Sequence, residues 1–121
     1  MAGYLTTHIL DTARGCPAAG VRIEVWRTSP AEENERRLVK VVYSNEDGRT
    51  DGPVLEDTEF GVGVYELVFG VGAYFAAKNL AGTGYPFLSD VPIRFGVADP
   101  DAHYHVPLLI SPWAYSTYRG S

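Results

Sequence analysis

Short segments in which apolar and polar residues alternate run along most of the chain, separated by turns rich in glycine and proline. Alternation with a period of two is typical of β-strands that bury one face. We predict strands over residues 4–11, 21–27, 38–44, 64–69, 91–97, 103–110 and 113–119, and a further short strand between residues 49 and 55. One helix is predicted over residues 73–80, and the charged residues 30–37 are predicted to form an exposed loop. The pattern therefore predicts an all-β sandwich of seven or eight strands with one short helix.

The same alternation assigns side chains to the buried or the outward face of each strand. The predicted buried faces include Leu5, Thr7 and Ile9 in the first strand, Val39, Val41 and Tyr43 in the third, and Tyr104, Val106, Leu108 and Ile110 in the strand over residues 103–110. His8, His103 and His105 fall on the opposite faces. All three histidines of the chain are expected to point away from the core, either as separate solvated side chains or as a cluster on one outer sheet face.

Composition narrows the class of protein. A chain of 121 residues is expected to form one domain over residues 1–121. The formal net charge of −5 makes nucleic acid an unexpected partner, and no run of about 20 apolar residues predicts a membrane span. The single cysteine, Cys16, excludes an internal disulfide, and packing at a strand end is a better interpretation of it than nucleophilic chemistry. The first eight residues lack a secretory pattern, so a cytoplasmic location is expected, with a periplasmic or peroxisomal location left open.

Two features could carry chemistry. The spacing of His103 and His105 puts two imidazoles on one side of a strand, about 6.8 Å apart along it. Together with His8 they could hold zinc, or without a metal they could act as general base and acid near neutral pH. Arg49 lies in the turn-rich residues 46–53 and is either a solvated side chain or a guanidinium held rigidly for an oxyanion or a carbonyl. The last nine residues, 113–121, hold three aromatic side chains, which is unlike a disordered tail.

Several blocks resemble the transthyretin-like proteins, and in particular their 5-hydroxyisourate hydrolase branch. The blocks are residues 5–12 with 15–21, Gly-Arg-Thr-Asp-Gly at 48–52, residues 86–88 with 91–96, His-Tyr-His-Val-Pro-Leu-Leu at 103–109, and Tyr-Ser-Thr-Tyr-Arg-Gly-Ser at 115–121. Five blocks in this order over nearly the whole chain are a specific pattern, and the last is similar to the signature of the enzymatic branch.

The resemblance implies a transthyretin-like two-sheet sandwich that assembles as a homotetramer, a dimer of dimers, with active sites between the dimers. It implies hydrolytic opening of the six-membered ring of 5-hydroxyisourate in urate catabolism. The product is 2-oxo-4-hydroxy-4-carboxy-5-ureidoimidazoline, and neither a metal nor an organic cofactor is expected.

Carried over to this chain, the resemblance implies a catalytic set of His8, Arg49, His105 and Ser121, with His103, Tyr118 and Arg119 binding substrate or supporting the set. The two imidazoles would position and deprotonate water, and one would return a proton to the leaving nitrogen. The guanidinium would stabilise the developing negative charge. Two rival hypotheses remain open at this stage: a non-catalytic carrier of small ligands on the same fold, and a zinc hydrolase built on the three histidines.

Overall fold

The computed structural model describes residues 3–28, 35–80 and 84–120. In these ranges the strands are β1 (Tyr4–Asp11), β2 (Cys16–Pro17), β3 (Arg22–Thr28), β4 (Arg36–Tyr43), β5 (Leu55–Glu56), β6 (Gly63–Phe69), β7 (Val91–Val97), β8 (His103–Ile110) and β9 (Tyr115–Thr117), and the helix α1 spans Val71–Ala77. A single 3₁₀ turn, Asp57–Glu59, follows β5. No helix within the described ranges is long and apolar enough to cross a membrane.

The strands form two sheets that pack face to face. The first sheet has the order β2-β1-β8-β9, with β5 also paired to the start of β1, and the second has the order β4-β3-β6-β7. The alternating apolar residues of both sheets meet in one core that includes Leu5, Ile9, Ile23, Leu67, Phe69 and Leu108, each with no exposed surface. The predicted all-β sandwich with one short helix is confirmed, and the described ranges hold nine strands rather than seven or eight, because Cys16–Pro17 pairs with β1 as an additional short strand.

Element boundaries follow the predictions most closely where the alternation is unbroken. The strands over residues 4–11, 91–97 and 103–110 are found as predicted, whereas the last strand covers only Tyr115–Thr117. The helix begins earlier than predicted, at Val71. It also ends earlier, at Ala77, because Asn79 adopts a left-handed backbone conformation (φ 59°) that stops the helix. Residues 36 and 37, predicted in the charged loop, are the start of β4, and residues 29–34 lie outside the described residues.

The predicted buried face of the third long strand, β4, is correct at Val39 and wrong at Tyr43. A β-bulge shifts its pairing with β3, so that Val25 pairs with Lys40 but Trp26 pairs with Leu38. The extra residue interrupts the alternation. As a result Val39 and Val42 pack against the core, and Tyr43 is 59% exposed.

The parallel pairing of β1 with β8 positions the histidines. Tyr4 lies beside His103, Thr6 beside His105, and His8 beside Pro107. Residues in register on adjacent strands project from the same face of a sheet. The three histidines are half-buried on the outer face of the first sheet, as the alternation predicts. Residues from two distant parts of the sequence are thereby brought side by side.

Candidate active site

The centre of the outer face is a hydroxyl held between two imidazoles. Thr6 Oγ1 lies 2.6 Å from His103 Nε2 and 2.8 Å from His105 Nδ1. The rings of His103 and Tyr4 stack with their centroids 4.2 Å apart and their planes 10° apart. Each ring of the histidine pair is therefore oriented through a ring nitrogen, and His103 is also held by an aromatic face.

Arg49 is presented by a compact loop between β4 and β5. The side-chain oxygen of Asn45 accepts hydrogen bonds from the backbone N–H groups of Asp47 and Arg49, and the Asn45 N–H donates to the Arg49 carbonyl. The Asn45 amide also donates to the Asp51 carboxylate at 2.9 Å. The turn forms here because the Asn45 side chain supplies the hydrogen-bond acceptor that these backbone N–H groups would otherwise lack. The backbone of the turn is therefore held by hydrogen bonds, and the Arg49 side chain that it carries is exposed.

The same loop is fastened to β1 beside His8. The Ile9 N–H donates to the Gly48 carbonyl at 2.8 Å, and His8 Nε2 lies 2.9 Å from the Asp47 carbonyl oxygen. Because a carbonyl oxygen can only accept, the proton of neutral His8 is on Nε2 and its lone pair is on Nδ1. The loop thus fixes the tautomer of one candidate base and the backbone from which the Arg49 side chain projects.

The loop that carries Arg49 and the outer face of β1 and β8 border one cleft of about 420 Å³. Its lining includes Tyr4, Thr6, Arg49, Pro53, His103 and His105. The pKa of His105 is lowered from its usual 6.5, first because burial penalises the imidazolium and then because His103, Arg49 and His8 can each carry positive charge nearby. A neutral imidazole and a guanidinium on one cleft can remove a proton from water and stabilise an oxyanion.

The C-terminal segment closes against His105. The Gly120 N–H donates to the His105 carbonyl at 2.8 Å, and a Cβ added to Gly120 would lie 2.5 Å from His105 Cδ2. The chain can therefore pass the imidazole at this distance only because residue 120 has no side chain. Ser121 lies outside the described residues.

Tyr118 and Arg119 border a different cavity of about 360 Å³, on the β7 side of β8. The guanidinium of Arg119 stacks on the ring of Tyr104, 4.1 Å from its centroid. Tyr104 belongs to the buried face of β8, opposite the face that carries the histidine pair. The structure thus brings His8, Arg49, His103 and His105 to one outer face and places Tyr118 and Arg119 elsewhere.

The three-histidine zinc hypothesis finds no support in the geometry. His103 and His105 both direct a ring nitrogen at Thr6, and His8 is bonded to the Asp47 carbonyl. Among the residues that the structure describes, no three His, Cys, Asp or Glu side chains are grouped as metal ligands. The histidines are organised by protein hydrogen bonds.

Sequence reasoning did not single out Thr6, Asn45 or Gly120. Asn45 precedes a turn and could have been identified as a capping side chain. Thr6 looks like an ordinary outward residue until the parallel pairing of β1 with β8 is known. The close approach of Gly120 to His105 depends on how the segment after β9 returns to β8, which no local pattern encodes.

Comparisons with known proteins agree with this architecture. Residues 5–120 match the model of the HIUase/Transthyretin family. The chain is 52% identical over 120 residues to 5-hydroxyisourate hydrolase 2 of Rhizobium meliloti (strain 1021), covering 99% of this chain and 98% of that protein.

Two solved structures superimpose closely. The crystal structure of (S)-allantoin synthase gives a TM-score of 0.91 at 52% identity and covers 99% of this chain, which spans only 44% of that longer one. Sea bream transthyretin in complex with thyroxine gives 0.82 at 25% identity, covering 96% of this chain and 93% of that one. With the family model matched over almost all of its length, the chain belongs to the HIUase/Transthyretin family.

Proposed function

We propose that this protein is a hydrolase that opens the six-membered ring of 5-hydroxyisourate in urate catabolism. The observation that carries the proposal is the placement of His105, with a lowered pKa, on the same cleft as the guanidinium of Arg49. The 52% identity to a 5-hydroxyisourate hydrolase over nearly the full length of both chains supports it. A carrier would need the cleft but would have no use for a base beside a cation.

The proposed reaction begins with water on the cleft side of the imidazoles. His105, with His8 beside it, takes a proton from the water as its oxygen adds to a ring carbonyl. The carbonyl oxygen becomes an oxyanion, which Arg49 stabilises. Collapse of this intermediate breaks the ring C–N bond, and the imidazolium returns the proton to the leaving nitrogen. Acid–base help of this kind contributes roughly 10²–10⁴-fold to the rate.

The remaining candidates have supporting roles in this proposal. Ser121 would donate a hydrogen bond to the substrate or to the water. His103 does not react with substrate in this proposal and instead orients His105 through the hydroxyl of Thr6. The stacking of Arg119 on Tyr104 favours a structural role for Arg119, and Tyr118 beside it would support the turn toward Gly120 rather than touch substrate.

We also propose that the active protein is a homotetramer, a dimer of dimers, in which a second pair of subunits covers the cleft. The cleft lies on an outer sheet face, where a single subunit leaves it open to water. Large apolar side chains are unusually exposed, with Trp113 at 71% and Phe87 at 75%. Exposed apolar surface of this kind marks contact sites between proteins.

The decisive experiment follows the ultraviolet absorbance of freshly generated 5-hydroxyisourate. Wild-type protein should accelerate its decay above the spontaneous rate, and His105→Gln should remove roughly 10²-fold or more of that acceleration. Arg37→Gln, on an exposed position of β4, is the matched control and should retain full activity. Binding of substrate with no acceleration of its decay would instead indicate a carrier and would contradict the proposal.

A further inference from the structure

The hydroxyl of Thr6 touches two ring nitrogens but has only one proton to donate. Oγ1 lies within hydrogen-bond distance of both His103 Nε2 and His105 Nδ1. A hydroxyl donates one hydrogen bond and accepts others. When both rings are neutral, at most one of them can therefore accept from Thr6, and at least one ring N–H must donate to it. The tautomers of the two histidines are coupled through a single atom.

Three arrangements of neutral rings satisfy both contacts. In the first, Thr6 donates to His103 Nε2 and accepts from His105 Nδ1–H, so that His105 Nε2 carries a lone pair. In the second, both bonds reverse and His105 Nε2 carries a proton. In the third, both rings donate to Thr6, and His105 Nε2 again carries a lone pair. The first and the third thus give His105 a basic nitrogen on the edge of the ring that Thr6 does not occupy, and the second does not.

The distances and the surroundings favour the first arrangement. A hydroxyl donor makes shorter bonds than a ring N–H donor, and the contact to His103, at 2.6 Å, is the shorter of the two. Among the described residues no group is hydrogen-bonded to His105 Nε2, so nothing else there sets its protonation. The stacked ring of Tyr4 holds the His103 ring in place beside Thr6.

We propose that Thr6 is a positioning residue that fixes His105 as the Nδ1–H tautomer and so exposes the Nε2 lone pair as the base. This inference rests on the proposed hydrolase function and deepens it, because it assigns His103 a role as the far end of a hydrogen-bonded chain. When His105 takes a proton at Nε2, its Nδ1–H bond to Thr6 is kept and no group has to rotate. The groups facing His105 that can carry charge are His8, Arg49 and His103.

The test compares two substitutions of Thr6. Thr6→Val keeps the shape and the strand preference but removes the hydroxyl, and we expect kcat to fall roughly 10- to 100-fold, the usual loss when a partner that orients a functional imidazole is removed. KM should stay near the wild-type value, since Thr6 acts through His105. Thr6→Ser keeps the hydroxyl and should recover kcat to within about threefold of wild type, a loss well below the roughly 10-fold minimum expected for Thr6→Val.

Thr12→Val is the matched control. Thr12 directly follows the same strand and does not line the cleft, and its hydroxyl donates to the Ile110 carbonyl at 2.9 Å. The loss of this bond should lower the melting temperature and leave kcat unchanged. A drop in kcat that merely follows stability would therefore appear in both Val variants.

Nitrogen-15 NMR of the histidine rings tests the inference independently of activity. Wild-type protein at neutral pH should show His105 protonated at Nδ1 and His103 at Nδ1, and Thr6→Val should lose this fixed pattern. A proton on His105 Nε2 in the wild type, or equal kcat for Thr6→Ser and Thr6→Val, would overturn the inference. If wild-type protein did not hydrolyse 5-hydroxyisourate at all, the proposed function would fail, and the NMR result would still decide the tautomers.

Discussion

The imidazole of His105 is confined between Thr6 and Gly120, two small residues that carry no charge. The approach of Gly120 leaves no room for a methyl group, because an added Cβ would lie 2.5 Å from a ring carbon. Gly120→Ala should therefore push the ring away from its position. A displacement of about 1 Å at a catalytic group can cost 10²-fold in rate, so we expect kcat to fall by roughly that factor. Steady-state kinetics measure the fall in kcat, and a crystal structure of the variant shows whether the ring of His105 has moved.

A matched control for Gly120→Ala is Gly61→Ala. A Cβ at Gly61 would meet only the guanidinium of Arg27, at 3.6 Å or more, which is ordinary contact. Its kcat should equal that of the wild type. If Gly120→Ala kept full activity with an unmoved ring, the role assigned to this approach would be wrong.

The lowered pKa of His105 sets the acid limit of activity. Burial is the main cause, and His103, Arg49 and His8 add to it. A depressed pKa keeps the ring neutral, and thus basic, at pH values where an ordinary histidine with a pKa of 6.5 is half protonated. The acid limb of kcat/KM should therefore have its midpoint below pH 6.5.

The positive charge of Arg49 contributes to the lowered pKa of His105, and its removal can be measured. Arg49→Met removes one neighbouring positive charge, which makes protonation of His105 easier and should raise its pKa toward the ordinary value. The rise should be partial, because burial remains. An NMR titration of His105 in both proteins measures the shift, and a pKa that falls in the variant would contradict this assignment of causes.

At the scale of elements, the loop that carries Arg49 depends on Gly48. Gly48 has φ of 76°, a left-handed backbone conformation, and a Cβ there would collide with the carbonyl oxygen of Ile9 in β1. Gly48→Ala should lift the loop from β1, separating Arg49 and the Asp47 carbonyl from His8. We expect a loss of both stability and activity, with the free energy of unfolding reduced by more than the roughly 1–3 kcal/mol typical of backbone strain alone.

Gly15→Ala distinguishes the effect of backbone strain from that of a collision. Gly15 also has a positive φ, 70°, but nothing lies within 4 Å of an added Cβ, and it does not line the cleft. This variant should lose stability through strain and should keep more activity than Gly48→Ala. Denaturant unfolding and kinetics on both variants make the comparison, and equal losses would show that the contact with Ile9 is unimportant.

The strands that carry the histidines could be predicted from the sequence because their alternation is complete. His8, His103 and His105 were placed on outward faces by the period of two alone, since no bulge interrupts β1 or β8. The face of β4 could not be predicted, because its bulge depends on how β3 pairs with it. Thr6 was missed for a related reason: a hydroxyl becomes part of a site only through its neighbour on another strand, and pairing across 97 residues leaves no local trace.

At the scale of the whole molecule, the proposed homotetramer can be tested at the exposed aromatic side chains. Trp113 lies in the turn between β8 and β9, on the sheet that carries the cleft, and is 71% exposed. A tryptophan of this exposure is the type of residue that dominates association, and its replacement typically costs about 2–4 kcal/mol. That cost corresponds to a dissociation constant roughly 30-fold or more higher.

Trp113→Glu should therefore weaken the proposed tetramer without unfolding the subunit, because the side chain contributes little to the core. At protein concentrations where the wild type sediments as a tetramer, the variant should sediment as a smaller species and show lower turnover per chain. Turnover should recover as the concentration is raised, since association restores the cover over the cleft. Val62→Glu, an exposed apolar position beside β6 on the other sheet, is the control and should leave assembly intact. A dissociated variant with wild-type turnover would mean that one subunit is sufficient for the chemistry.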